Sequence, residues 1–262
     1  MSAFTSDLSV GDFALCDGLG LQPLAQVMGS SIYQVGYEAN SWPTAFGGGV
    51  VFEIEVLSQA WNEVRELALG RLSKEASRVD ADAVIGVDIR TGSHDFAEGA
   101  IEQIVVGTAV RHSRDRRPTI GPALTELSVA DYAKLLSAGV EPLGVVAWSS
   151  VFFVMASSEM QAMGGLTGRL LFSQNQELTS YTQGLYEARE IVVGRMTEQA
   201  SKLGADGVIG TRIDHGVAER TIQQRGYKQM GLMVTFHAIG TAIRDRHDTV
   251  QYPPETAIDL TT

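Results

Sequence analysis

Two matching sets of charged side chains stand out for the chemistry they could do. Arg65, Glu66, Arg71 and Asp82 return as Arg189, Glu190, Arg195 and Asp206. A guanidinium beside a carboxylate can hold a small anion, close an ion pair across an interface or move a proton. Nothing in either set supplies a nucleophile beside a base, so no catalytic constellation is expected. Arg71 and Glu75 stand four apart and can pair on a helix surface. Arg65 and Glu66 are adjacent and project about 100° apart on a helix, so one of them faces a neighbouring subunit. The expectation is ion pairs between elements or subunits, with a small-anion pocket near Arg65, Glu66 and Asp82 as the alternative.

Metal chemistry has a thinner basis. The five histidines are His94, His112, His215, His237 and His247. None stands one helical turn from another. His94 with Asp95, and Asp214 with His215, fall in equivalent segments and are the best pairs available. A zinc site needs three or four converging ligands at about 2.0–2.3 Å, and each pair offers two. Surface residues are therefore expected, with no bound cofactor. The single Cys16 excludes an intramolecular disulfide and any multi-cysteine metal site. Trp42, Trp61 and Trp148, with Phe152 and Phe153, could stack a flat ligand, but are expected in a core or interface. Gly47, Gly48 and Gly49, and in the second half Gly164 and Gly165, lack the Gly-Lys-Ser/Thr of a phosphate-binding loop.

The elements that position these residues are written twice. Positions 64–90 match 188–214 at 12 of 27 residues, at a constant shift of 124 (189 minus 65). Upstream, 8–33 match 127–152 at 11 of 26 residues, shifted by 119 (128 minus 9). Downstream, Gly107-Thr108-Ala109 returns as Gly240-Thr241-Ala242, shifted by 133. The shifts change by five residues in the Gly-rich stretch and nine around 220–231, insertions that surface loops tolerate. The chain is a small unit fused to a diverged copy of itself.

Each copy opens with Leu-Ser-Val-x-Asp. Ser9 and Ser128 suit an N-cap, Asp12 and Asp131 complete a box-like cap, and Gly20 and Gly139 suit a helix stop. Strands follow over 24–37 and 143–155. Long helices run over 53–79 and 177–203, with one apolar stripe through Val64, Ala68, Leu72 and Ala76 and its twin through Ala188, Val192, Met196 and Ala200. Gly70 and Gly194, at matching mid-helix positions, suggest a backbone passing close by. Two more strands follow in each copy, over 83–89 and 101–111, and over 207–213 and 232–244. One long helix on a small, mainly antiparallel sheet is an α+β two-layer sandwich. The organisation read from this is a first repeat over 1–113, a linker over 114–126, a second repeat over 127–246 and a tail over 247–262. Sheets this small leave edges that invite pairing with other chains.

The 262 residues suffice for two domains of about 130 each. A net charge of −11 argues against nucleic acid or an anionic membrane as partner. The longest apolar run, about 14 residues over 143–156, is too short to span a bilayer. No leader-like segment is evident, so a cytoplasmic location is expected.

The pattern Val/Ala-Arg-Glu at 64–66 and 188–190, then Gly-Arg, then Ala-Asp-x-Val-Ile-Gly at 81–86 and 205–210, closing on Gly-Thr-Ala, resembles the YbjQ-like family, often labelled a heavy-metal-binding domain. The likeness covers about 21–111 and 140–244. It implies subunits similar in fold to dodecin that assemble as pentameric rings, and it implies no particular activity. A covalent tandem cannot tile one ring of five domains. The expectation is therefore a homo-oligomer with stacked pentameric rings, or a ring with an even number of domains such as a trimer of chains. Such a protein is a non-enzymatic scaffold or binding protein, with the tail as a segment for a protein partner. The alternative is a small-ligand or metal-ion binder with inter-subunit sites.

Overall fold

The structure is a computed structural model and describes residues 5–35, 51–93, 100–112, 121–155, 179–224 and 227–245. The expectations for His94 and Asp95, the Gly-rich stretches, most of the linker and the tail lie outside these residues. Each repeat opens on a short helix: α1 (Val10–Gly18) and α3 (Val129–Ser137). The Ser9 hydroxyl accepts from the Asp12 N–H at 3.1 Å and donates to the Asp12 carboxylate at 2.7 Å. Ser128 and Asp131 repeat the arrangement. Gly20 and Gly139 take left-handed φ values of 66° and 77° and end these helices.

The first sheet is ordered β1–β4–β3–β5, from β1 (Leu21–Gln34), β3 (Ala83–Ser93), β4 (Ala100–His112) and β5 (Ala123–Leu124). The second is ordered β2–β6–β8–β7, from β2 (Val51–Glu53), β6 (Val140–Met155), β7 (Gly207–Gln224) and β8 (Tyr227–Asp245). All neighbours are antiparallel except β3 and β5. The long helices α2 (Glu55–Arg78) and α4 (Thr179–Lys202) each lie on the sheet of their own repeat. Val64, Ala68, Leu72 and Ala76 are fully buried against the first sheet, and Ala188, Val192, Met196 and Ala200 form the same stripe on the second. Burying a large aliphatic side chain contributes about 1.5–3 kcal/mol, so these stripes dominate each layer pair. The fold is the expected α+β sandwich, made twice.

The repeated Val-Ile-Gly has a backbone cause. Gly86 and Gly210 adopt φ of 65° and 66°, where the registers of β3 and β7 slip between Ile85 and Asp88 and between Ile209 and Arg212. A bulge of this kind favours glycine. Pro23 and Pro142 mark matching slips in β1 and β6, since proline brings no N–H to the ladder.

Three features depart from the sequence reading. The nine-residue insertion lengthens the β7–β8 hairpin rather than forming a loop, because its residues continue the ladder to Gln224 and Tyr227. No described residue lies within 4 Å of a Cβ placed at Gly70 or Gly194. The close approach is instead at Gly29 of β1, where a side chain would run into the Ala68 carbonyl and the Leu72 amide of α2. Third, each sheet borrows an edge strand: β2 follows the first repeat's β1 in sequence but pairs with β6, and β5 pairs with β3.

Candidate functional site

The borrowed strand β2 leads straight into α2, whose first turns run along the margin of β6. The Ile54 amide donates to the Val151 carbonyl at 2.7 Å. One turn on, the Ser58 hydroxyl accepts from the Val151 amide at 2.9 Å. Asn62 then grips the backbone of Ser149, donating to its carbonyl at 2.8 Å and accepting from its amide at 3.0 Å. Arg65 follows, donating to the Ser149 hydroxyl and the Ala147 carbonyl, each at 2.7 Å, and to the Asn62 side-chain oxygen. Ser58, Asn62 and Arg65 are spaced four and three apart, which aligns them on one face of the helix. All three are buried.

Arg65 faces a cavity of about 270 Å³ between the two sheets, with Asp88 and Gln103 on one side and Ser149, Asp214 and His237 on the other. Burial lowers the Arg65 pKa to about 10, opposed by the nearby Glu66 charge, so the guanidinium stays protonated at neutral pH. The residues bonded to it are all neutral. His237 Nδ1 lies 2.8 Å from the Ser149 hydroxyl. Burial, then the Arg65 charge, push its pKa down to about 4, and the Asp214 charge opposes them. The neutral ring stands edge-on to Trp61, with centroids 4.9 Å apart. Gln103 is buried, and its side-chain oxygen has no hydrogen-bond partner.

A serine bonded to a histidine near an aspartate invites a nucleophile reading. The chemistry does not follow. The Ser149 side chain is fully buried, and a histidine that protonates near pH 4 is a weak base at neutral pH. Arg65 also holds the hydroxyl on its other side. The cluster locks one repeat to the other.

The remaining predicted residues divide between several places. Glu66 is exposed beside Arg65. Arg71 and Glu75 turn to β1 rather than to each other: Arg71 donates to the Ser30 carbonyl, and Glu75 accepts from the Met28 amide at 2.7 Å. Arg195 sits over the Trp148 ring, 5.9 Å from its centroid, a cation–π contact. Asp82 accepts from the His112 amide at 2.8 Å and Asp206 from the Asp245 amide at 2.9 Å, so both pin the end of a final strand. Arg189 and Glu190 are exposed on α4. Arg65 and Asp82 thus serve different ends of the unit. Asn62 and Ser149 were missed by sequence reasoning, and His237 stood there only as one of five histidines without a partner residue.

The described residues do not fit a resident metal. Asp214 and His215 are neighbours on β7 and point to opposite faces, Asp214 to the cavity and His215 to Phe236, with ring centroids 5.9 Å apart. Cys16 is buried, and burial together with the Asp12 charge raises its thiol pKa. Among the described residues no three His, Cys, Asp or Glu side chains gather as a ligand set. Among the same residues no helix is long and apolar enough to cross a membrane.

A protein family described as "Putative heavy-metal-binding" (YbjQ type) matches this chain twice, over 39–113 and 160–246. A Mycobacterium tuberculosis protein named "Encapsulin nanocompartment protein" is 32% identical over 246 residues, 92% of this chain and 86% of the relative. A UPF0145 protein of Clostridium novyi is 38% identical over 96 residues, 36% of this chain and 88% of the relative. A UPF0145 protein of Thermotoga maritima is 40% identical over 73 residues, 28% of this chain and 63% of the relative.

Proposed function

Because the chain belongs to the YbjQ family, twice over, we propose that it is a non-enzymatic, self-assembling scaffold or binding protein built as a ring. One observation carries this reading: each sheet takes an edge strand from outside its own repeat, the second taking β2 from the first repeat and the first taking β5 from the segment that joins the repeats. Association across repeat boundaries is therefore how this fold satisfies its edges. The encapsulin-named relative, similar over most of both chains, supports an assembled role. A tandem in which the repeats dock side by side suits a ring where first and second repeats alternate, with an even total. Five chains giving ten repeats, or three giving six, meet that condition, and two stacked rings do not use it. Native mass spectrometry tests the reading. A closed multimer of at least three chains is expected, and a monomer at micromolar concentration refutes it.

A second reading draws on the cavity. A buried guanidinium bonded only to neutral groups has the charge for a small anion. Inorganic phosphate is the probe. Saturable heat on titration that is lost in Arg65→Ala supports this reading, and no heat rejects it.

A further inference from the structure

The duplication supplies an internal control: equivalent residues meet different neighbours, and their burial differs accordingly. On α2, Asn62 is 6% exposed because β6 covers it; its equivalent on α4, Tyr186 (186 minus 124), is 64% exposed. Arg65 is buried and Arg189 is exposed. On β6, Val151 is 1% exposed under α2, while its equivalent on β1, Ile32 (151 minus 119), is 55% exposed. Ala147 is buried, whereas its equivalent Met28 is exposed. The α4 face and the β1 margin are thus the two halves of a junction that is made once within the chain.

The other side of the junction behaves alike. Val129 and Tyr132 of α3 are buried against Ala83 and Ile85 of β3. Their equivalents on α1 are Val10, 89% exposed, and Phe13, 48% exposed. The equivalents of Ala83 and Ile85 on β7 are Gly207 and Ile209, both partly exposed. The sheets agree. The first is extended by β5 beyond β3 and ends at β1; the second is extended by β2 beyond β6 and ends at β7. Each sheet has one margin extended by a strand and one that no described strand covers, β1 carrying there the Arg71 and Glu75 side chains of its own α2, and these two margins are complementary.

We infer that one chain docks head-to-tail on a second copy of itself, α4 of the first seating on β1 of the next as α2 seats on β6 within a chain, and α1 of the next seating on β7 of the first. Thr182, Tyr186 and Arg189 take the places of Ser58, Asn62 and Arg65, and Met28, Ser30 and Ile32 those of Ala147, Ser149 and Val151. The contact is heterologous, so each joint leaves a free donor face and a free acceptor margin, and the series ends only by closing. This rests on the self-association proposed above and names the surfaces that carry it.

The test uses the full-length chain and two substitutions at exposed positions, Tyr186→Glu on the α4 face and Ile32→Glu on the β1 margin. Each variant alone is expected to run as a monomer by native mass spectrometry, with circular dichroism and a melting transition showing it folded. Mixed one to one, they are expected to form a heterodimer and nothing larger, because only the α4 face of the Ile32→Glu chain and the β1 margin of the Tyr186→Glu chain remain intact. Arg189→Ala, a milder change, is expected to weaken assembly in the same direction. A wild-type multimer that survives both Glu substitutions overturns this inference alone, as does a mixture that stays monomeric. A monomeric wild type overturns the proposed function as well.

Discussion

Replacing Arg65 by alanine tests the junction within the chain. Three hydrogen bonds from a charged donor disappear, those to the Ser149 hydroxyl, the Ala147 carbonyl and Asn62. Bonds to charged groups are worth about 1.5–3 kcal/mol each, a gross loss of about 4–9 kcal/mol. Against this, the variant no longer buries a guanidinium, which returns several kcal/mol. Ser149 keeps His237 as partner, and Asn62 keeps the Ser149 amide, so these two acceptors are not orphaned. The net expectation is a loss of about 2–4 kcal/mol, within the range for breaking a buried polar network. Urea unfolding of Arg65→Ala and Arg189→Ala, both in the Tyr186→Glu background expected to keep chains apart, measures it. Arg189 is exposed in the single chain, so its truncation should change stability by no more than about 0.5 kcal/mol there. A second signature separates electrostatics from packing. The Arg65 charge helps to hold His237 neutral, so the histidine pKa should rise in Arg65→Ala when followed by NMR. Equal losses for the two variants, or an unmoved histidine, would refute the reasoning.

Two further outcomes are expected. Gly29→Ala should lower the melting temperature sharply, since its Cβ meets the α2 backbone, with an overpacking cost of about 1–3 kcal/mol; Gly70→Ala has open space and should stabilise by up to about 1 kcal/mol, and thermal melts with the reverse order would contradict the packing described. His237 has a folded pKa depressed to about 4 against about 6.5 unfolded, so its contribution is present above pH 6.5 and is lost as pH falls to 4. The slope of about 1.4 kcal/mol per pH unit gives a loss of about 3 kcal/mol over that window, and a His237→Gln variant with the same acid profile as wild type would exclude this assignment.

Much of the architecture was legible because it was written in periodicity and repetition. The α2 and α4 stripes, the Ser-x-x-Asp caps and the constant shift of 124 each encode local geometry, and local geometry survives in one dimension. Val-Ile-Gly was visible as a motif, while its cause, a left-handed glycine in a bulge, needed the ladder registers. The site was far less legible. Arg65 and Asp82 recur together in sequence, yet one locks the repeats and the other pins a strand end, because proximity along a helix-to-strand connection is not proximity in space. Asn62 carried no signal at all: its equivalent is a tyrosine, and its role exists only because β6 of the other repeat lies against it. An edge strand supplied from outside the repeat has no signature in hydrophobic pattern, so each sheet was read one strand short.

The contact of α2 with β6 explains why the charged pair at 65–66 and 189–190 can be alike in sequence and unlike in environment. A buried arginine is costly unless every donor finds a fixed acceptor. At position 65 the acceptors come from β6 and from Asn62; at position 189 none of the described residues supplies them, and the side chain is exposed. A lone domain would have little use for an arginine on that face, since an exposed guanidinium contributes little to its stability. Its presence in both copies follows if both faces are contact faces, one satisfied by covalent linkage and the other by another molecule. Under the proposed docking, the tandem is a ring-forming unit in which every second joint has been made permanent. Separating the repeats at the linker should therefore convert an internal contact into an intermolecular one of the same kind, with concentration replacing the tether.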